Sequence, residues 1–343
     1  MKKNITFVTK AGIAALALSL AACRGKMPFI PEAKKTGTNS TYAYLLDTTD
    51  LKKPELDLEN AGGALKKVLD KGVLTVVTSP DLPPYEWVDE EGKVRGTEMM
   101  LAKYIADCLE VDLEVSQTAF TGTFAALDAG EADCAFAGYG WTKDREATYE
   151  LTSGFSGEGN DAVMYCTVVA AAEKADQYTA IENLSDARAA VQEGTLQDMF
   201  CGEQKNVFGE VIRTGTLDEA IQGLESGDYD VVVLDGTTAE NYGKKSDGKI
   251  VLTGIRLDIS SYEDKAGTVG LCTKGETSLL EVLNACIKTA AENGYYSSWY
   301  EQEKNRAVWK TEFPEPTEET EGTEGSEEGE GSQETENSGD TEG

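Results

Sequence analysis

The sequence predicts an α/β protein built as two lobes, and three observations point there. The chain has 343 residues of which 40% are hydrophobic, enough for a sizeable core and about two domains. Strand-like and helix-like segments alternate over 64–137, and the same alternation resumes over 189–235. Alternation of this kind builds sheets that are largely parallel, with helices packed on them.

The elements follow in order. A helix is expected over 64–70, with Leu65, Val68 and Leu69 on one face and Gly72 closing it. A β-branched strand over 73–77 leads into a Pro-rich loop, 79–87, and an acidic hairpin tip at 89–92. Thr97 is the expected cap of a helix over 98–109. A strand at 113–116 follows, then a helix over 122–128 capped by Thr121 and stopped by Gly130. The run 134–137 is a strand that empties into the glycine-rich turn Gly138-Tyr139-Gly140-Trp141-Thr142.

The second pattern opens with a long β-like run, 161–170, and a helical or irregular stretch over 171–178. A strand at 189–191 turns through Gln192-Glu193-Gly194-Thr195 into a helix over 196–201. A strand at 211–214 precedes Thr216-Leu217-Asp218-Glu219, which has capping-box spacing and opens a helix through Leu224. Tyr229 to Leu234 reads as a strand delivering Asp235, and the pattern of 121–138 is faintly echoed over 216–235. The stretch 267–273 is a further strand, 278–293 an amphipathic helix closed by Gly294, and 295–309 an aromatic helix.

The two ends differ from this body. Lys2-Lys3 and the apolar stretch 11–22 have the form of an export signal, too short to span a bilayer. Its ending, Leu20-Ala21-Ala22-Cys23, resembles the bacterial lipobox, which implies cleavage before Cys23 and lipid attachment to its thiol. Residues 23–61 lack sustained periodicity and read as a membrane tether, with an apolar contact at 42–46. The tail 313–343 carries twelve acids and no base and is expected to stay disordered. The remaining ranges are expected to divide into one lobe of 62–166 plus 268–312 and a second of 167–267.

Composition excludes several functions. The net charge is −31, so a basic nucleic-acid-binding surface is ruled out by repulsion. The chain has no histidine, which removes Ser-His-Asp and Cys-His nucleophiles and His-based metal sites. Of the seven cysteines, the six after Cys23 form no Cys-x-x-Cys pair and read mostly as buried free thiols. No cofactor or metal is expected.

The stretch with most chemistry is Gly138 to Arg145. A strand end, glycines, a hydroxyl and a guanidinium fall within eight residues, and these groups grip a carboxylate. Taken locally, Arg145 also reads as a solvated surface charge, as most arginines are.

In order along 64–309, several motifs resemble the bacterial extracellular solute-binding proteins of family three, the amino-acid receptors of ABC importers. The carriers are Lys71-Gly72-Val73-Leu74-Thr75-Val76, Pro83-Pro84-Tyr85-Glu86-Trp87, Phe120 with 124–127, 137–145, Glu150-Leu151-Thr152 and Val191-Gln192-Glu193-Gly194-Thr195. The resemblance implies a type II periplasmic-binding-protein fold of two α/β lobes joined by two crossover strands, near 161–170 and 267–273. It implies that Arg145, with Thr142 and Thr195, binds a substrate α-carboxylate. It implies that Asp235 and the Gly138 carbonyl take the α-ammonium, and that Phe120 lines the side-chain pocket. Ser79 and Gly140 stand where the family places an acid and a hydroxyl, so those two contacts are thinned. The implied protein is a monomeric binding lipoprotein, held outside the cytoplasmic membrane by its anchor. It closes on an amino acid and hands it to an ABC permease with its ATPase. The alternatives are a dehydratase of the arogenate or prephenate type on the same fold, and a surface amino-acid sensor without transport.

Overall fold

The computed structural model describes residues 42–155, 166–204, 206–259, 261–262 and 265–308. The expected export signal, Cys23, the first part of the expected tether and the acidic tail lie outside them.

The first half opens on helix α1 (Gly63–Lys71), which buries Ala64, Leu65 and Val68 and ends at Gly72 with φ +70. Strand β1 (Val73–Thr78) follows. The Pro-rich stretch, expected as a loop, carries two short strands, β2 (Asp81–Leu82) and β3 (Glu86–Val88), which pair with β4 (Val94–Arg95) in a small antiparallel sheet. Helix α2 (Thr97–Cys108) comes next, then β5 (Asp112–Gln117), α3 (Phe120–Asp128), β6 (Cys134–Trp141), α4 (Lys143–Thr148) and β7 (Tyr149–Leu151). Neither expected threonine cap is realised. Gly96 caps α2, Ala119 caps α3, and the Thr97 hydroxyl donates to the Pro84 carbonyl instead.

The second half runs β8 (Cys166–Ala171), two 3-10 turns, β9 (Arg188–Gln192), α5 (Leu196–Glu203), β10 (Glu210–Thr214), α6 (Leu217–Ser226) and β11 (Val231–Asp235). Helix α7 (Gly236–Lys245) and strand β12 (Ile250–Leu257) complete it. Then β13 (Lys265–Thr273), α8 (Thr277–Glu292) and α9 (Tyr295–Val308) return to the first half.

Two five-stranded sheets result. Their orders are β5-β1-β6-β13-β7 and β10-β9-β11-β8-β12. Each is half parallel and half antiparallel: β1 runs parallel to β5 and β6, and β9 to β10 and β11, while β13 and β8 run against their neighbours. The expected largely parallel sheets are therefore mixed. The echo between 121–138 and 216–235 has a topological meaning, since β6 and β11 occupy the same central place in their sheets. The chain leaves the first sheet after Phe155, which bridges to Thr268, and enters the second by Cys166. It leaves the second after Leu257 and re-enters the first by Lys265. The strands 166–171 and 265–273 thus each lie wholly within one sheet, and the crossings precede them.

Separate apolar clusters cover the two faces of each sheet. In the largest, α8 supplies Cys286 with Leu279, Leu283 and Ile287, the last three worth roughly 1.5–3 kcal/mol each for a large side chain fully buried. Residues 42–61, expected within the tether, are laid against this cluster. Leu45 is buried, Leu51, Leu56 and Leu58 pack on it, and the Tyr104 hydroxyl donates to the Lys52 carbonyl at 2.6 Å. The six described cysteines are all buried and free. No helix among the described residues is long and apolar enough to cross a membrane.

Candidate binding cleft

The carboxyl ends of β1, β6, β9 and β11 converge, two from each sheet. This is where open α/β sheets place their ligands. A cavity of about 50 Å³ lies there, lined by Ser79, Phe120, Gly138, Gly140, Arg145, Thr195 and Asp235 among others. Seven of the eight residues singled out in the sequence thus face one space. Thr142 does not line it.

Arg145 is held from several sides. Thr142, buried, caps α4 by accepting the Arg145 backbone N–H at 3.1 Å, which fixes where the arginine leaves the chain. Its guanidinium donates to the Gly140 carbonyl at 2.7 Å and, across the cleft, to the Gly194 carbonyl at 3.0 Å. Its central carbon lies 5.7 Å from the Phe120 ring and 5.8 Å from the Phe124 and Tyr139 rings. This aromatic cradle favours the cation while shielding it from water. Burial pushes its pKa down to about 10, so it stays charged at neutral pH. Two of its five donors meet those carbonyls, and the others remain for an acceptor in the cavity.

The expected turn at 138–142 is instead a continuation of β6, paired with β13 through Gly140, Tyr139 and Trp141. Gly138 sits in that strand at φ +62, where a side chain would collide with Leu82 Cδ2 at 2.3 Å. Its N–H donates to Glu98 Oε2 at 3.1 Å. Phe120 stacks edge-on against Phe124 and tilted against Tyr139.

From the other sheet, Thr195 caps α5. Its hydroxyl accepts from Asp198 N and donates to the Gln192 carbonyl, so it is engaged on both counts. Asp235 caps α7 by accepting Thr238 N at 3.0 Å, and burial raises its pKa.

Sequence reasoning missed the strap that joins the lobes. Asp81 is buried and reaches from the first half into the second. Its Oδ2 accepts from Gln192 Nε2 at 2.9 Å and from Leu217 N at 2.8 Å, while the Tyr242 hydroxyl donates to its carbonyl at 3.0 Å. Ser79 donates to its other oxygen. Beside it, the Pro83 carbonyl accepts from Asn241 and Thr238, and Leu82 packs into the second sheet's core. No local pattern marks Asp81 as a strap, because its partners in the second half, Gln192, Leu217 and Tyr242, lie more than a hundred residues away.

Asp81→Ala is expected to strip this strap. Gln192 and Leu217 would each lose an acceptor, at about 1–3 kcal/mol per buried orphan. Small-angle scattering should then show a larger radius of gyration than in the parent protein, and an unchanged radius would reject the strap. Burial raises the Asp81 pKa to about 6, against the pull of its donors. A raised carboxyl pKa means the joined form binds more protons. The strap therefore weakens as pH rises from the ordinary carboxyl range to about 6.

Comparison with known proteins agrees with this architecture. Residues 74–194 match the family model of the bacterial extracellular solute-binding proteins, family 3. The L-cystine-binding protein TcyJ of Escherichia coli K12 is 25% identical over 235 residues, covering 68% of this chain and 82% of that one. The substrate-binding protein AbpA of an amino acid ABC transporter from Streptococcus pneumoniae, solved with L-arginine, superposes with a TM-score of 0.64. It is 20% identical and covers 71% of this chain and 99% of its own. The ancestral amino acid-binding protein AncCDT-1, a precursor of cyclohexadienyl dehydratase, superposes with a TM-score of 0.58 at 24% identity, covering 70% and 99%. Two mixed sheets joined by two crossings, with a cleft at their strand ends, give the chain the type II periplasmic-binding-protein fold, and its residues 74–194 are similar to the bacterial extracellular solute-binding proteins, family 3.

Proposed function

We propose that the protein captures an amino acid or a similar small zwitterion by closing its two lobes, and delivers it to an ABC permease at the membrane. The observation that carries this is the placing of Arg145 and Asp235 at one cavity, from opposite sheets. A zwitterion has one charge for each, so its binding energy favours the closed form over the open one. The carboxylate is received by the unused donors of Arg145 and by the backbone N–H groups opening α5 beyond Thr195. The ammonium is received by Asp235 and the Gly138 carbonyl. Phe120 and its neighbours form the apolar wall, and Thr142 serves by holding Arg145. The lobes follow the two sheets, 62–155 with 265–308 and 166–257, so Cys166 and residues 265–267 fall on the other side of the boundaries expected from the sequence. The lipid on Cys23 keeps the protein at the outer face of the membrane, as a monomer beside its permease.

A thermal-shift screen of the purified protein against the twenty amino acids, L-cystine and prephenate tests this. One or a few amino acids should raise the melting temperature by several degrees, since a ligand at a hundred times its Kd adds about 2.7 kcal/mol. A flat response to every amino acid would overturn the reading. Prephenate is included because a buried carboxyl, Glu86, lines the cavity and could act as a general acid. Its conversion would favour the dehydratase, and none is expected.

A further inference from the structure

We propose that Glu86 joins Asp235 and the Gly138 carbonyl in receiving the captured molecule's ammonium group, and that its arrival drives one proton from the Glu86–Glu98 pair into solvent. This rests on the capture reading above and names a residue and a proton that reading leaves open.

Glu86 lines the cavity, is 0% exposed, and its oxygens meet no described group except the Glu98 carboxyl, with which it shares a side-chain hydrogen bond. An unmet buried carboxylate is costly, by about 1–3 kcal/mol or more for a charged group. The other acids at the cavity are provided for. Asp81 accepts from Ser79, Gln192 and Leu217, and Asp235 caps α7. Glu98 is equally buried, has one oxygen on the Gly138 N–H, and shares a side-chain hydrogen bond with Glu86. Glu86 Oε1 lies 3.4 Å from the point where a Gly138 side chain would begin. Both carboxyls therefore converge on Gly138, the residue whose carbonyl faces the proposed ammonium.

The surroundings of Glu86 contain no base to neutralise it. Glu98 faces it from α2, Asp81 from β2, Asp235 from the end of β11, Tyr139 from β6 and Tyr296 from α9, with Tyr85 beside it in the chain. Arg145 is the one cation among the residues lining the cavity, and it is turned to the Gly140 and Gly194 carbonyls. Burial first, and then Glu98, hold the Glu86 carboxyl well above the usual carboxylate range, and burial carries Glu98 to about 7. Before capture the pair therefore keeps a proton, as two carboxyls at one place cannot both ionise. An ammonium at Glu86 supplies a positive charge in that proton's stead. The proton passes to the buffer, and the ammonium's charge replaces it at the carboxyl pair while the carboxylate goes to Arg145. Ser79 leaves a gap where the resemblance implies an acid, and Glu86 fills that chemical role from a neighbouring strand.

Isothermal titration calorimetry near neutral pH, in phosphate, HEPES and Tris, measures protons released on binding from the dependence of enthalpy on the buffer's own ionisation. L-arginine, L-glutamine and L-cystine serve as probes. The parent protein should release about one proton per molecule bound. Its affinity should rise with pH, by at most about tenfold per pH unit. Glu86→Gln should release none and bind at least about tenfold more weakly. Enthalpies that do not depend on the buffer in the parent protein would overturn the proposal without help from any variant. So would a Glu86→Gln protein with unaltered affinity and proton release. If no probe binds the parent protein and the screen of the twenty amino acids is also flat, the capture reading itself has failed, and this proposal falls with it.

Discussion

Arg145→Ala is expected to abolish the proposed amino-acid binding while leaving a folded chain. Each charge-assisted hydrogen bond to a carboxylate is worth about 1.5–3 kcal/mol. Two such bonds amount to roughly a hundredfold to ten-thousandfold in affinity. The same side chain also links the two halves, through the Gly140 and Gly194 carbonyls. Alanine therefore removes a ligand contact and a closing contact together. Arg145→Lys restores the charge without the fork and should recover only part of the affinity. Calorimetry with the amino acid found in the screen decides the matter, with circular dichroism to check folding. Unchanged affinity in Arg145→Ala would refute the assignment of the carboxylate.

The largest expected loss of stability is at Gly96. This residue caps α2 at φ +125, a conformation that side chains rarely adopt. A Cβ there would fall 2.0 Å from the Tyr85 carbonyl oxygen and 2.7 Å from Glu86 Cα, and both of these atoms are backbone. Neither can turn aside as a flexible side chain would. Strain of about 1–3 kcal/mol adds to the cost of moving β3. For a chain of this size Gly96→Ala should lower the melting temperature by on the order of 5–10 °C. It should also disturb Glu86 and hence the cleft floor. Gly92→Ala is the control, since Gly92 has φ +76 with nothing within 4 Å, and its cost is confined to about 1–2 kcal/mol of backbone preference. Equal melting temperatures for the two variants would refute the clash.

Much of the fold is legible along the chain because local chemistry and final structure agree there. Thr216 caps α6 as its capping-box spacing predicts, and Gly72, Gly130 and Gly227 all take positive φ at element ends. The exceptions have particular causes. Thr97 and Thr121 look like caps, yet the chain already turns at Gly96 and Ala119, and Thr97 is drawn to Pro84 by the packing of β3 on α2. Strand β6 runs on past Gly138 because β13, more than a hundred residues later, pairs with it. Helix α7 starts Gly-Thr-Thr, weak helix formers, and depends on Asp235 as its cap. Strand β12 is interrupted by a register shift around Gly254 at φ +80, which spoils its alternation.

By itself the sequence determined which segments become strands and helices around the cleft, and which residues stand at their ends. Arg145 stands out locally, beside glycines and a hydroxyl, while Gly138, Thr195 and Asp235 are singled out by the family resemblance. Only the tertiary structure decided how those ends are joined and charged. Asp81 became a strap, and Glu86 and Glu98 became a buried pair beneath Gly138, because of donors and walls brought from distant parts of the chain. The physical reason is that burial and partnership set the energy of a carboxyl, and neither is a property of its neighbours in sequence.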